Sequence, residues 1–292
     1  MTDQFLSVLG GRDSSEAAAV KQASATPPML HRPGAVRSNT RPFVRNAILA
    51  SASLQEFAAI GEYLEPVVLR ERTVLQEPKR PLDHIYFIES GLISLRIVAA
   101  GSVLETAVMG YRGAVGASLL AGGHLATGQS VVLVPGSAHR IVVKDLRGVL
   151  SECSDLREHF FRYAQAQNLH CAQTGLCGVR HDRQKRLACW LCLASDALNA
   201  DVLPITHDYL SSMLGLRRPG VTESLIRFEQ QGLIRKARGM LHIWDRQRLE
   251  ETACGCYKLI SRAYAPSETA VSAMDSACDG VESQFRALQR RP

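Results

Sequence analysis

No run of 18 apolar residues occurs in the 292-residue sequence, so nothing in it reads as a membrane-spanning helix. The first twenty-five residues lack a basic start followed by an apolar core, so they do not read as a secretory signal, and a cytoplasmic protein is expected. Cysteine is missing before Cys153, and the eight present are read as reduced thiols, not as a disulfide framework. Signatures of catalysis are missing too: no Gly-x-Ser-x-Gly, no phosphate-binding loop of the Walker type and no His-Glu-x-x-His. No enzyme and no cofactor are expected. A strong excess of one charge is missing as well, with 34 Lys and Arg against 28 Asp and Glu. A net +6 permits an anionic partner without demanding one. With 46% hydrophobic and 21% charged residues the chain is neither wholly disordered nor fibrous, and its length suits two domains.

Residues 1–45 are rich in Ala, Ser, Pro and Gly and read as a disordered N-terminal arm, which cannot bury enough apolar surface to offset its ordering entropy. Ser53 and Glu56 have capping-box spacing, so a helix with Leu54, Phe57, Ala58 and Tyr63 on its period follows, ended by Pro66. From Val67 to Val143, runs of β-formers come about every ten residues: 67–75, 84–88, 92–98, 103–109, 130–134 and 139–143. Turn signals such as Glu89-Ser90-Gly91 and Pro135-Gly136 separate them, which implies a sandwich or barrel over 46–152. In the third run Ile93, Leu95 and Ile97 share one face, with Ser94 and Arg96 on the other.

From Asp155 to Thr174 there is neither Pro nor Gly, and Phe160, Tyr163, Ala164, Gln167, His170 and Cys171 fall at helical spacings. A long helix at 153–179 between two compact regions is either a dimer seam or a helix packed on its own chain. Beyond it, Leu187, Trp190, Leu191 and Ala194 form an apolar stripe. Thr206 can cap a short helix, Gly215 breaks it, and Pro219 sits in the first turn of the next, whose inner face is Val221, Leu225, Ile226 and Phe228. Two short strands around Arg238-Gly239 follow. This is a helix-turn-helix with a wing over 180–250. Residues 251–292 read as a C-terminal tail.

A second helix exposed on one side can enter a major groove of double-stranded DNA. Its exposed face would carry Arg217, Arg218, Thr222, Glu223 and Arg227, with Thr206 capping the first helix. Arg can bond guanine bidentately, Glu can accept from cytosine, and Thr can touch a thymine methyl. Arg235, Lys236 and Arg238 put cations on the hairpin, suited to phosphates. Between Arg180 and Glu250 twelve basic residues face eight acidic ones, a modest but local excess.

The segment Ile205-Thr-His-Asp-Tyr-Leu-Ser-Ser-Met-Leu-Gly-Leu-Arg-Arg-Pro-Gly-Val-Thr-Glu-Ser-Leu225, followed by Phe228-Glu-Gln-Gln-Gly-Leu-Ile234, resembles the DNA-binding domain of the Crp/Fnr superfamily of bacterial transcription regulators. Ile85-Tyr-Phe-Ile-Glu-Ser-Gly-Leu-Ile-Ser-Leu95 resembles that family's sensor-domain hairpin. The resemblance covers residues 45 to about 257. It implies an α+β chain: an N-terminal double-stranded β-helix (jelly-roll) sensor domain, a long dimerisation helix and a C-terminal winged helix-turn-helix. It also implies a homodimer on a palindromic operator, RNA polymerase as a partner and a small-molecule effector.

Departures from the family pattern bear on that effector. Members that bind cyclic AMP carry a Gly-Glu pair and then Arg-Ser or Arg-Thr. Here the matching residues are Gly116-Ala117 and Gln129-Ser130. Without the guanidinium a phosphodiester loses a charge-assisted bond worth roughly 1.5–3 kcal/mol, so these four are effector-pocket candidates for something other than cyclic AMP. In the recognition helix, Arg218 is kept as a base reader, while Pro219 and Glu223 depart from the family and imply a different half-site. The cysteines carry no assigned metal. The N-terminal cysteine group of the family's iron–sulfur branch is absent, and Cys189 and Cys192 read as buried thiols. His170, Cys171 and Cys177 form a weak metal or cross-dimer candidate, and Cys254-Gly-Cys256 reads as exposed loop thiols, redox-active or inert. Two other functions compete: a β-roll signalling module acting through protein contacts, and an enzyme with a cupin-like metal site. The second needs clustered ligands, and His84, His124 and His139 are dispersed.

Overall fold

The computed structural model describes residues 44–265. Most of the expected arm and the last part of the expected tail therefore lie outside the described residues. Order begins earlier than Ser53. The Asn46 side chain caps α1 (Ala47–Ser51) by accepting from Ile48 and Leu49, and its buried amide donates to the carbonyls of Ile88, Tyr111 and Gly113. Ser53 and Glu56 form the expected capping box on α2 (Leu54–Gly61).

Six strands follow: β1 (Glu65–Leu69), β2 (Val74–Gln76), β3 (His84–Ala99), β4 (Ser102–Met109), β5 (Ala114–Val115) and β6 (Gln129–Val142). They form one antiparallel sheet in the order β1-β6-β3-β4, with β2 on β6 and β5 on β3. Four of the expected short runs are two long strands. The apparent turns at Glu89-Ser90-Gly91 and Pro135-Gly136 lie opposite each other in the β3–β6 pair, with Ser90 facing Ser137 and the register slipping on either side. Gly91 has φ +91°, and a Cβ on Gly136 would sit 2.1 Å from the Ser90 carbonyl oxygen. Only glycine fits there, so the breakers bend a continuous ribbon instead of ending it. The bent ribbon is the expected roll.

Next come α3 (Val143–Glu152), in a segment with no predicted helix, and α4 (Ser154–Arg180). α4 runs through Gly175 and Gly178 and ends at Arg180, one residue past the expected 179. A glycine in a helix costs only about 1 kcal/mol relative to alanine, which tertiary packing readily offsets. Leu156, Phe160, Tyr163, Ala166 and His170 are buried. Phe160 lies 5.7 Å from Phe87 of β3, and the Tyr163 hydroxyl donates to the Ala114 carbonyl. The predicted stripe of Phe160, Tyr163 and His170 thus faces this chain's own roll. Ala164 packs against the same core.

The C-terminal part comprises α5 (Arg183–Leu198), β7 (Val202–Leu203), α6 (His207–Met213), α7 (Arg218–Gln230), β8 (Ile234–Ala237), β9 (Met240–Ile243), α8 (Arg246–Thr252) and α9 (Gly255–Ala263). The hairpin β8–β9 is joined by β7 into a three-stranded sheet, order β7-β9-β8. Leu187, Leu191, Leu210, Val221, Leu225 and Phe228 are fully buried in one core. Burying each is worth about 1.5–3 kcal/mol. Ile226, expected on the inner face, is 40% exposed. The expected tail contains α9, whose Cys256, Tyr257 and Ile260 are buried.

Candidate nucleic-acid interface

α6 and α7 form the helix-turn-helix. Thr206 caps α6, accepting from the Tyr209 amide at 3.2 Å. Gly215, φ +59°, makes the turn. Arg217 is the N-cap of α7, and Pro219 lies in its first turn, where a missing N–H is harmless. Val221, Leu225 and Phe228 anchor the helix from beneath, which leaves Arg217, Arg218, Glu223, Ile226 and Arg227 exposed along its outer side. Thr222 is half-buried, and its hydroxyl lies 3.2 Å from His207 Nδ1. Burial first, and then the nearby Lys236 and Arg218, push the His207 imidazole below its usual range. The cations of helix and wing therefore act on the same spot.

Several of these side chains are already paired. Arg218 Nε is 2.6 Å from Asp208 Oδ1, with both side chains about two-thirds exposed. Such a solvent-exposed pair is worth at most about 1 kcal/mol, so the guanidinium can exchange Asp208 for a base edge at little cost. Glu223 accepts from Arg227 at 2.8 Å and from Arg183 of α5 at 3.0 Å. In this arrangement Glu223 bridges two arginines. Arg183, which sequence reasoning missed, also donates from Nε to Ser224 Oγ at 3.0 Å and lies across Gly220, where a Cβ would sit 2.4 Å from Nη1. The buried Gly220 and Ser224, on the inner side of α7, were the available signal. On the wing, Gly239 (φ +74°) turns the hairpin beside exposed Arg238. Arg235 stacks 3.4 Å over the ring of Trp244, and Lys236 pairs with Glu229 at 2.8 Å.

The effector-pocket candidates meet around the end of β2. Ser130 donates to Gln76 Oε1 at 3.3 Å, and Gln129 donates to the Glu77 carboxylate at 3.1 Å. Gly116 has φ +105°, and a Cβ there would sit 2.9 Å from Gln76 Nε2, a buried donor with no hydrogen-bond partner. Ala117 is buried. Glu77 thus stands where a phosphate on Gln129 would need positive charge.

The roll also reaches the helix-turn-helix directly. Glu105 of β4 is buried and accepts from Ser94 of β3, Trp190 of α5 and Tyr209 of α6. Burial pushes its carboxyl above the ordinary range, against the pull of those three donors and of Arg96. Ser94, on the face of β3 opposite Ile93 and Leu95, is fully buried where α5 packs on β3.

Residues 185–252 match the Crp-like helix-turn-helix domain family. A search of curated protein sequences finds no match. Among solved structures the chain is similar to FixK2 from Bradyrhizobium japonicum, at TM-score 0.57 and 17% identity, over 66% of this chain and 98% of that one. It is similar to a transcriptional regulator of the Crp/Fnr family from Eubacterium rectale, at TM-score 0.55 and 16% identity, over 71% and 98%. The c-di-GMP-responsive regulator CLP of Xanthomonas campestris gives TM-score 0.55 and 14% identity, over 66% and 99%. The chain thus carries a Crp-like helix-turn-helix domain within the fold of the Crp/Fnr transcription regulators.

Proposed function

We propose that this chain is a sequence-specific, cytoplasmic DNA-binding transcription regulator, acting by binding and not by catalysis. It grips a palindromic operator as a homodimer, contacts RNA polymerase, and takes an effector other than cyclic AMP, if it takes one. The observation that carries the reading is α7: three arginines on its outer side, a packed apolar underside and a cationic wing beside it. Arg218 and Arg227 are suited to base edges, Arg217 and Arg238 to phosphates.

A second observation supports the dimer. The outer side of α4 carries Phe161, Gln165, Asn168, Ala172, Gly175 and Val179, all exposed and spaced in alternating steps of four and three. That period is the 3.5-residue repeat of two helices wound together. Ala172 and Gly175 are small enough for close approach, and exposed Leu176 adds apolar area on the same side. Gln165 and Asn168 are the polar positions of the stripe, the kind that fixes register between paired helices at some cost in stability. A second copy of α4 is the occupant that fits such a stripe, since each helix would meet its own image. It would set two α7 helices one helical turn of DNA apart, about 34 Å.

The test is selection of bound sequences from a random DNA pool, followed by anisotropy titration of the winner against random DNA. A palindromic winner bound at least about a thousandfold more tightly is expected. Equal, weak binding to both would favour the β-roll module acting through protein contacts.

A further inference from the structure

We propose that Cys177, His181, Cys254 and Cys256 bind one zinc ion as a closed tetrahedral site. Their spacing in the chain gave no warning, because Cys177 and Cys254 lie 77 residues apart. Cys177 and His181 are one turn apart at the end of α4, His181 being its C-cap. Cys254 is the N-cap of α9 and Cys256 lies in its first turn. Packing of α9 along α4 brings the two pairs together. His170 and Cys171, the partners first considered for Cys177, are not in the group. Cys254 and Cys256, expected to be exposed, are 5% and 3% exposed.

The geometry suits one ion. The four ligand atoms lie within 4.8 Å of one another; Cys177 Sγ is 3.3 Å from Cys254 Sγ, and Cys256 Sγ is 3.6 Å from His181 Nδ1. Zinc bonds of about 2.3 Å to sulfur and 2.0–2.1 Å to nitrogen make tetrahedral edges of roughly 3.5–3.8 Å. The Cys256–His181 contact falls within that range and the Cys177–Cys254 contact just short of it. Three thiolates and an imidazole are soft donors, so calcium and magnesium are excluded by ligand type. An iron–sulfur cluster divides its cysteines between metals and spreads them more widely. Four protein ligands leave no open position, which makes the site structural.

The surroundings fit as well. Cys254 and Cys256 sit at a helix N-terminus, whose partial positive charge favours thiolates. His181 is half-buried and gives the ion a way in. It also joins α4 to the N-cap of α5, Asp182, so the ion would pin that junction to α9.

The test begins with elemental analysis of the full-length protein purified under reducing conditions, where one zinc per chain is expected. Cobalt(II) added to zinc-stripped protein should give the intense visible bands of tetrahedral thiolate coordination. His181→Ala, a partly exposed change that leaves the apolar core intact, should weaken cobalt binding by more than about tenfold. Cys254→Ser and Cys256→Ser should do the same, while Cys171→Ser and Cys192→Ser leave it intact. Should the core cysteine variants misfold, the His181→Ala titration on a chain with native circular dichroism decides alone. A folded, reduced wild type with neither zinc nor a cobalt spectrum overturns the proposal. So does a Cys177–Cys254 disulfide in anaerobically purified protein, or loss of binding in Cys189→Ala with retention in His181→Ala. None of these readouts depends on DNA.

Discussion

The Tyr209 hydroxyl on α6 donates a hydrogen bond to the Glu105 carboxylate on β4, and so ties the first helix of the helix-turn-helix to the roll. Trp190 and Ser94 donate to the same carboxylate, and the Arg96 guanidinium lies 5.9 Å from the Tyr209 ring centre. A buried carboxyl with three donors is stable only while all three stay in place. The contact therefore holds α6, and α7 packed on it, in one orientation to the sheet.

Tyr209→Phe keeps the ring and removes one donor. The cost is expected to be about 1–3 kcal/mol, because a buried acceptor loses a partner. Hydrogen exchange should rise in 207–213 while the strands of the roll stay protected. Unchanged protection of α6 would mean that apolar packing alone sets the orientation.

Arg218 and Arg238 should separate by the kind of loss they cause. Arg218→Ala is expected to cost roughly 1–3 kcal/mol on the selected operator and to relax preference at one position. Arg238→Ala should weaken all sequences alike and flatten the salt dependence by about one counterion. Titrations at several salt concentrations on matched and mismatched operators check both. A uniform loss for Arg218 would make it a phosphate contact.

These residues were legible because their constraint is local: a cap at Thr206, a breaker at Gly215, a proline at helix start, and apolar periodicity at 221, 225 and 228. The capping box at Ser53 was legible for the same reason. What the sequence hid was long-range. Gly91 and Gly136 look like turn residues until their strands are paired, and nothing local marks Ser94 as buried beneath α5. Phe160 and Phe161 are adjacent in sequence, and only the fold assigns one to the core and the other to the outside. Four metal-ligand residues in two distant pairs have no one-dimensional signature.

The proposed dimer seam rests on that assignment. Ala164→Glu would put a carboxylate against the chain's own core and test folding. Leu176→Glu, at a position 48% exposed, tests the seam instead, because the charge would be desolvated in both protomers beside its own copy. Sedimentation should shift to monomer with a native circular dichroism spectrum, and affinity for the full operator should drop as the second half-site's effective concentration is lost. A dimer surviving Leu176→Glu would locate the interface elsewhere.

Cyclic AMP should not bind. The Gln129 amide is engaged by Glu77, and glutamine has no charge to offer a phosphodiester where the family's cyclic AMP binders have arginine. Calorimetry at millimolar cyclic AMP should show no heat and no gain in operator affinity. A micromolar dissociation constant would mean that Glu77 moves aside and that another cation is recruited.

Acid sensitivity should trace to His170. It is buried beneath Tyr264, whose hydroxyl lies 3.3 Å from Nδ1, and burial pushes its imidazole down to about 4 from an ordinary 6.5. Above pH 6.5 the residue is neutral whether the chain is folded or not, and stability does not change with its titration. Between 6.5 and 4 only the unfolded chain takes up the proton, so stability falls as pH falls, by about 1.4 kcal/mol per unit and roughly 3 kcal/mol in all. Tyr264 is itself held well above its usual range by burial, so it stays a neutral donor throughout. His170→Phe removes the titration and leaves the Tyr264 hydroxyl without its acceptor. The variant should be about 1 kcal/mol less stable at pH 7 yet more stable than the wild type near pH 4.5. Urea denaturation at a series of pH values checks this: the two curves should cross, and parallel curves would place the acid-sensitive group elsewhere.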